Sequence, residues 1–427
     1  MFHQLRLAFL SACRFTILAA FALAIGPGTD VPAVELPEPA IPGLRYYEPS
    51  AKVEPRTVDA DVCIYGGCSA GVMAAVQADR MGKRVVLLEF GRHLGGLSSG
   101  GLSETDGGDP AVCSGIAREF YDLIGRKNFR PSQAEAAFDK LLAGTKVEVH
   151  KLAHLATVEK DGPRIVAITM EDGLTVRARQ FIDATYEGDL LARAGVSWHA
   201  GREATTVYGE TLNGIRTPGQ GGHDWPVAID PYRRPGDPAS GLLPRVNLDP
   251  GWPRDGDERI QAFCFRMWLT RKNPLPFPKP AGYDETEYEL LARLFESGLH
   301  HCQMTVVDGA VRNEGNVEVG VEPYPIAYRA LVPKRGECTN LLVPVALSSS
   351  HIAFGSIRME PVFMLLGQAA ATAAALAIDG GVAVQDLPYD TLRRRLLADG
   401  QILEYRGPPR QPAGRPRPAE HRADRGG

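Results

Sequence analysis

The sequence predicts an α/β fold, and three observations carry that reading. "DVCIY", a glycine turn from Gly66 to Gly71, "VMAAVQADRM" and "RVVLLE" follow one another as strand, turn, helix and strand. From Thr145 to Ile182 short apolar runs alternate with the turn signals Asp161-Gly162 and Asp172-Gly173, the texture of consecutive β-strands. Much later, "NLLVPVAL" reads as a buried strand and "PVFMLLGQAAATAAALAI" as a long apolar helix opened by Pro361. At 427 residues, 44% of them hydrophobic, the chain can fill a sizeable core. It is long enough for two domains, or for one α/β unit carrying an insertion.

Taken in chain order, residues 1–24 read as an export signal. Arg6 and Arg14 supply positive charge, "FTILAAFALA" is an apolar run too short to cross a bilayer, and Ala22-Leu23-Ala24 offers small residues for cleavage. No twin-arginine pair is present. Residues 25–57 are proline-rich and aperiodic, a linker or wrapping arm. Residues 58–200 carry the strand–turn–helix unit and the β-textured stretch. Within 201–315, Gly214 to Pro280 is rich in Gly, Pro, Asp and Trp, as expected of an inserted, loop-rich region facing a substrate. Residues 316–405 hold the second strand–helix pair and "LPYDTLRRRLLADGQIL", an amphipathic surface helix. Residues 406–427, rich in Pro, Arg and Gly, read as a solvated tail. A formal net charge of -4 offers no reason to propose nucleic acid or an anionic membrane as partner.

The turn itself points to chemistry. In the pattern G-x-G-x-x-G the first glycine allows the tight bend and the second lets the backbone approach a pyrophosphate. The third lets helix and strand pack closely, and the phosphate sits on the free N–H groups of the helix. Gly66 and Gly71 hold the first and third places, with Cys68 at the second. A cysteine keeps its backbone N–H and adds modest bulk, and Gly67 adds freedom beside it, so the motif is weakened but not abolished. Glu89 ends the second strand about twenty residues on, where a carboxylate accepts hydrogen bonds from ribose hydroxyls. Together these features predict dinucleotide binding, and the acidic Glu89 argues against a 2′-phosphate. A second glycine cluster, "HLGGLSSGGL", follows directly. It suits a backbone running along a flavin's pyrophosphate and ribityl chain, where a nicotinamide domain would run into its next helix; the plainer alternative is an ordinary glycine loop.

Cysteine usage adds exclusions. Of seven cysteines Cys13 falls in the signal, and the remaining six, Cys63, Cys68, Cys113, Cys264, Cys302 and Cys338, include no C-x-x-C pair. This argues against a zinc ribbon or an iron–sulfur cluster held by this chain alone. The Cys68 side chain reads as an inert small residue in a turn, since a redox thiol needs a partner nearby.

These blocks, with "FIDATYEGDLLARAG", "NEGNVEVGVEPYPIAYRALVP" and "NLLVPVALSSSHIAFGSIRMEPVFMLLGQAAATAAALA", together resemble the FAD-dependent oxidoreductases whose secreted bacterial members are often labelled xanthan lyases. That family is distantly similar to the flavoprotein component of heterodisulfide reductase. The resemblance covers most of Asp59 to Tyr405, and a small residue such as Cys or Thr is usual there at the middle glycine position. It implies a Rossmann-type, glutathione-reductase-like FAD domain in two chain segments with an inserted β-rich substrate domain. It also implies that Gly66, Gly67, Cys68, Ser69, Ala70 and Gly71 hold the phosphates and that Glu89 holds the adenosine ribose. Gly95, Gly96 and Ser99 would line the path to the isoalloxazine. Ser349, Ser350, His351 and Gly355 to Glu360 would lie beside the flavin, the following helix aiming its N-terminus at the pyrimidine edge.

Other side chains keep two readings. His351 is either a proton donor or acceptor to substrate or a structural histidine bonded within its loop. Arg358 either pairs with Glu360 or binds an anionic substrate group. Tyr324, Tyr328 and Arg329 divide between packing and a site, while Asp183 and Glu187 read as turn residues and Met359 and Met364 as core. The family usually carries a longer segment between the positions of Gly298 and Asp308, so the substrate domain here is shortened. The expected activity is hydride transfer from a small or carbohydrate-like substrate to flavin, reoxidised by an unidentified acceptor, in an exported protein without stable membrane insertion. The alternatives are a polysaccharide lyase and an internally deleted FAD-binding protein without turnover.

Overall fold

The computed structural model describes residues 54–104, 109–216, 228–249, 251–260, 270–273, 283–290, 304–313, 317 and 319–407. The stretch read as signal, most of that read as linker, Cys264, Cys302, the junction at Gly298 and nearly all of the stretch read as a tail lie outside the described residues.

The predicted strand, helix and strand form where the pattern puts them, joined by the glycine turn. Strand β1 spans Arg56–Tyr65, helix α1 Ser69–Arg80 and strand β2 Val85–Glu89. A short helical turn, α2, covers Gly96–Ser99, and two helices follow, α3 Gly115–Ile124 and α4 Pro131–Ala143. Strands β3 Glu148–Lys151, β4 Leu155–Asp161, β5 Arg164–Met170 and β6 Leu174–Asp183 come next, then the short helices α5 Asp189–Arg193 and α6 Thr205–Tyr208. The later part holds a hairpin, β7 Met304–Val307 with β8 Ala310–Asn313, and strand β9 Leu341–Leu342. Helices α7 His351–Ile357, α8 Glu360–Gly380 and α9 Tyr389–Ala398 complete the list.

One sheet organises the described fold. Its order is β3-β2-β1-β6-β5-β4, with β9 also pairing β6. Strands β3, β2, β1, β6 and β9 are parallel neighbours, whereas β4, β5 and the first half of β6 form an antiparallel meander. Strand β6 does both jobs: Thr175 and Val176 face β5, and Phe181 and Ile182 pair with Leu341 and Leu342 of β9. This length brings Asp183 to the same sheet edge as Tyr65, its register partner. The run "NLLVPVAL" yields only two residues of strand; Pro344 has no N–H to donate, and the buried chain after Leu342 runs on as irregular backbone.

Alternation along the strands builds a core on each face. Val62, Ile64, Val85, Leu87 and Ile182 face one cluster with α1, α3, α4 and α8, while Cys63, Tyr65, Val86, Leu88 and Phe181 face another with the meander and α5. On the first face the Phe120 and Phe138 rings stack with centroids 4.2 Å apart, joining α3 to α4; burying each of these side chains is worth about 1.5–3 kcal/mol. Helix α8 is long and apolar enough to cross a membrane. It is instead mostly buried, packed against α1 so closely that a Cβ on Gly367 would lie 2.1 Å from the Ala70 carbonyl oxygen. Pro361 is its second residue, behind Glu360. Helix α9 follows the predicted amphipathic pattern, burying Leu392 and Leu396.

A candidate dinucleotide site where two glycine turns meet

The glycine turn leaves no room for larger residues. Gly66 has φ of 102°, and a Cβ there would lie 2.6 Å from the Ala184 carbonyl carbon; on Gly71 it would lie 1.9 Å from the Gly66 carbonyl oxygen. Cys68 is extended and caps α1 without a side-chain hydrogen bond, and no acidic residue stands in the helix's first turn. Its thiol donates to the Ala184 carbonyl at 2.8 Å, and burial pushes its pKa up. It is a space-filling thiol that makes no capping hydrogen bond of good geometry, although the Ala70 and Gly71 N–H groups at the start of α1 lie close enough to oppose the rise in its pKa.

Glu89 closes the other side of the turn. One carboxylate oxygen accepts from the Gly67 N–H and the other from the Gly91 N–H, both at 2.6 Å. Burial raises its pKa, and these two N–H groups oppose the rise. Each oxygen retains a further lone pair, which is what a ribose hydroxyl requires.

The second glycine cluster runs along the first. Gly95 N–H donates to the Gly67 carbonyl at 2.7 Å, and Cys68 and Gly95 form a parallel bridge. A Cβ on Gly96 would meet the Tyr186 hydroxyl at 2.3 Å and the Cys68 Cβ at 2.9 Å. Ser99 turns its hydroxyl back to the Leu94 carbonyl, 2.5 Å away, and its neighbour Ser98 faces Glu360.

Glu360, the first residue of α8, is 3% exposed. It accepts from Tyr186 Oη at 2.7 Å and from Ser98 Oγ at 3.1 Å, so its carboxylate bonds these two hydroxyls and not Arg358. The Tyr186 oxygen in turn accepts from the Leu97 N–H at 2.8 Å. Ser69 Oγ, buried at the first position of α1, faces Glu360 but lacks a hydrogen bond of good geometry. Residues from four distant stretches thus meet around the N-termini of α1 and α8.

The remaining predicted residues collect elsewhere, at α7. Ser350 caps that helix and donates to Glu210 Oε1 at 2.9 Å. The His351 N–H donates to Glu203 Oε2 at 3.0 Å, and its ring Nδ1 lies 3.6 Å from the same oxygen, beyond hydrogen-bond reach. Burial holds the His351 pKa below its ordinary 6.5, against the pull of Glu203. Burial also works against the charge of Glu203, but hydrogen bonds, first that of the His351 N–H, hold its pKa below the usual value. Beside them Arg202 clasps Asp257 through Nε at 2.9 Å and an Nη at 2.6 Å. Gly355 and Arg358 are exposed on and after α7. Asp183 is a turn residue: Oδ1 accepts from the N–H and hydroxyl of Thr185, and Oδ2 from the Leu191 N–H. Tyr328 donates to the Val384 carbonyl and Tyr324 shares a hydrogen bond with Ser356. Met364 is buried in the core; Met359, ahead of α8, is only partly covered.

Sequence reasoning missed Ser98, Tyr186 and Glu203. Tyr186 lay inside "DATYEGD", a block already marked, but nothing local says which of its side chains turns to the turn. Glu203 is brought to His351 only by the fold. An open depression of about 530 Å³ near Trp252 and Asp257 lies apart from the glycine turns. Among the described residues no metal-ligating cluster occurs, and Cys63, Cys68, Cys113 and Cys338 are buried free thiols.

The residues present fit FAD. The cradle at Gly66, Gly67 and Gly71 is one that a Cβ would fill, and a buried orphan hydroxyl, Ser69 Oγ, stands at the helix N-terminus. Comparison with known proteins bears on the same point. The sequence model of the family described as FAD dependent oxidoreductase matches residues 61–312 and 297–396. No curated protein matches. Among solved structures, T. acidophilum thioredoxin reductase is similar at 23% identity over 29% of this chain and 34% of that one, with a TM-score of 0.22. The 3-ketosteroid-delta4-(5alpha)-dehydrogenase of Rhodococcus jostii RHA1 shares 15% identity over 33% of this chain and 51% of its own, with a TM-score of 0.24. The anhydrotetracycline hydroxylase OxyS of Streptomyces rimosus shares 13% over 34% and 38%, with a TM-score of 0.28. The chain spans from about a third to about half the length of these three, and such partial overlaps carry no argument about activity. The family match covers most of the chain and contains both glycine turns and the α8 motif: the chain belongs to the FAD dependent oxidoreductase family, and its cofactor is FAD.

Proposed function

We propose that the chain oxidises a small or carbohydrate-like substrate outside the cytoplasm and passes the electrons to an acceptor yet to be identified. The meeting of four separated sequence blocks at the N-termini of α1 and α8 carries this reading. FAD, when bound, supplies the acceptor for a substrate hydride. The chain's own part is to hold and orient. The N–H groups of Ser69, Ala70 and Gly71 take the diphosphate, and Glu89 takes the ribose through its unused lone pairs. The N-terminal end of α8 favours negative charge.

His351 is the proposed proton acceptor. Burial keeps its imidazole neutral at neutral pH, the form a base requires, and its side chain is 31% exposed and so open to a ligand. Arg358, exposed at the end of α7, is proposed to bind an anionic group of the substrate. Residues 201–315 form the substrate-facing region, read as shortened; the family match divides into two segments that overlap over 297–312, at the same place. Export rests on reading residues 1–24 as a signal.

The test is spectroscopic. Purified protein should carry flavin absorbance, and anaerobic addition of a panel of sugars and thiols should bleach it with at least one member. A colourless protein that takes up no added FAD overturns the reading, and a yellow protein reduced by dithionite but by no donor in the panel limits it to cofactor binding.

A further inference from the structure

Glu360 stands in an unusual place for a carboxylate. It is buried at the mouth of a turn built to receive a diphosphate, and its neighbours are the hydroxyls of Tyr186, Ser98 and Ser69. The titratable groups facing it are Tyr186, from the chain after β6, and Cys68, from the glycine turn. Glu89 lies across the turn, with its own effect on Cys68. Among the described residues no Lys, Arg or His bonds Glu360. An anionic diphosphate brought to this turn would therefore meet a second anion, with no cation among the described residues bonded to Glu360 to separate them. In a medium of low effective dielectric such a pair repels strongly.

We propose that binding of FAD at the glycine turn draws one proton from solvent onto the Glu360 carboxyl. The inference rests on the FAD reading of the turn. The proton adds to a carboxylate oxygen, the hydroxyls of Ser98 and Tyr186 can reorient to the neutral acid, and no bond of the cofactor changes. Burial, which already raises the Glu360 pKa, works in the same direction. The neutral acid then lies beside the diphosphate without opposing it, and Glu360 sets how cofactor affinity depends on pH.

Calorimetric titration of the full chain, freed of flavin, with FAD at pH 8 in phosphate and in Tris reads the proton directly, because the two buffers differ in ionisation heat. The expected result is uptake of about one proton per FAD and also per ADP, and none with riboflavin, which lacks phosphate. Affinity for FAD should weaken by up to about tenfold per pH unit once Glu360 is ionised in the free protein. Glu360→Gln should still bind FAD, without uptake and with a flatter pH profile. If that variant does not fold, the infrared difference spectrum of the unsubstituted protein serves instead, a protonated-carboxyl carbonyl band appearing on FAD binding. FAD binding with buffer-independent heat, or uptake that persists in Glu360→Gln, overturns the inference and leaves the cofactor assignment standing. No heat from FAD at any pH overturns both.

Discussion

The glycine turns and the α7 neighbourhood are built on opposite plans. At Gly66, Gly67, Gly71, Gly95 and Gly96 an added Cβ would lie under 3.0 Å from another atom, whereas at Gly355 on α7 it would meet nothing within 4 Å. Gly201 and Gly256, beside Arg202 and Asp257, are packed as tightly as the turns, so the contrast lies in α7 itself and in the groups that satisfy the charges. The first region is close-packed backbone in which Glu89 and Glu360 are satisfied by N–H and O–H donors. The second is a cluster of ionic groups, Arg202, Glu203, Glu210, His351 and Asp257, on partly exposed and largely irregular chain. A cofactor held for many turnovers needs the former; a substrate that enters and leaves needs the latter.

Four substitutions break or sharpen that contrast. Gly71→Ala should have the largest effect, since its methyl would have to displace the Gly66 carbonyl. Loss of bound flavin and a sharp fall in Tm are expected, read from the flavin-to-protein absorbance ratio and a melting curve; full flavin loading would show that the turn is not the diphosphate seat. His351→Ala should retain flavin but lose about 10²–10⁴ in kcat, the usual worth of a positioned base. In the unsubstituted enzyme the activity that needs neutral His351 should persist down to pH values below 6.5, because burial lowers that pKa. An acidic limb centred above 6.5 in the rate profile would contradict this.

Asp183→Asn should act on stability alone. Burial raises the Asp183 pKa from 3.8 to about 6, so the folded chain binds this proton more tightly than the unfolded one. Its favourable contribution is full below 3.8 and is lost as pH rises through about 6, a span worth at most on the order of 3 kcal/mol. The variant should remove that slope, seen as a smaller fall in Tm between pH 4 and 7, while losing part of the hydrogen bonding to Thr185 and Leu191, worth roughly 1–3 kcal/mol. Gly355→Ala should be smallest and opposite in sign. It adds a methyl to an exposed helical position with open space around it, stabilising by about 0.5–1 kcal/mol with flavin content unchanged; a loss of flavin there would place α7 inside the cofactor seat.

Much of the cofactor region was legible beforehand because its signals are local. A glycine needed for a positive φ, an alternating strand and an acidic strand end all announce themselves within about thirty residues. Helices α3 and α4 were not singled out, although α3 is strongly amphipathic in form, burying Ile116, Phe120 and Tyr121 on one side. The partner of Glu360 was left open by the sequence: Arg358 is two residues away, but α8 begins at Glu360 and turns its carboxylate inward to Tyr186, 174 residues distant.

The sequence by itself determined the βαβ unit, the place of the glycine turn, the apolar helix behind it and the cofactor class. Each depends on backbone freedom or on a hydrophobic period that neighbouring residues encode. Only the tertiary structure decided that β6 serves both the parallel sheet and the meander, that the two glycine turns lie against each other, and that Glu360 faces α1 while His351 faces Glu203. Those choices rest on side chains far apart in the chain, and which buried polar group meets which partner is settled by packing and by the cost of leaving one unpaired.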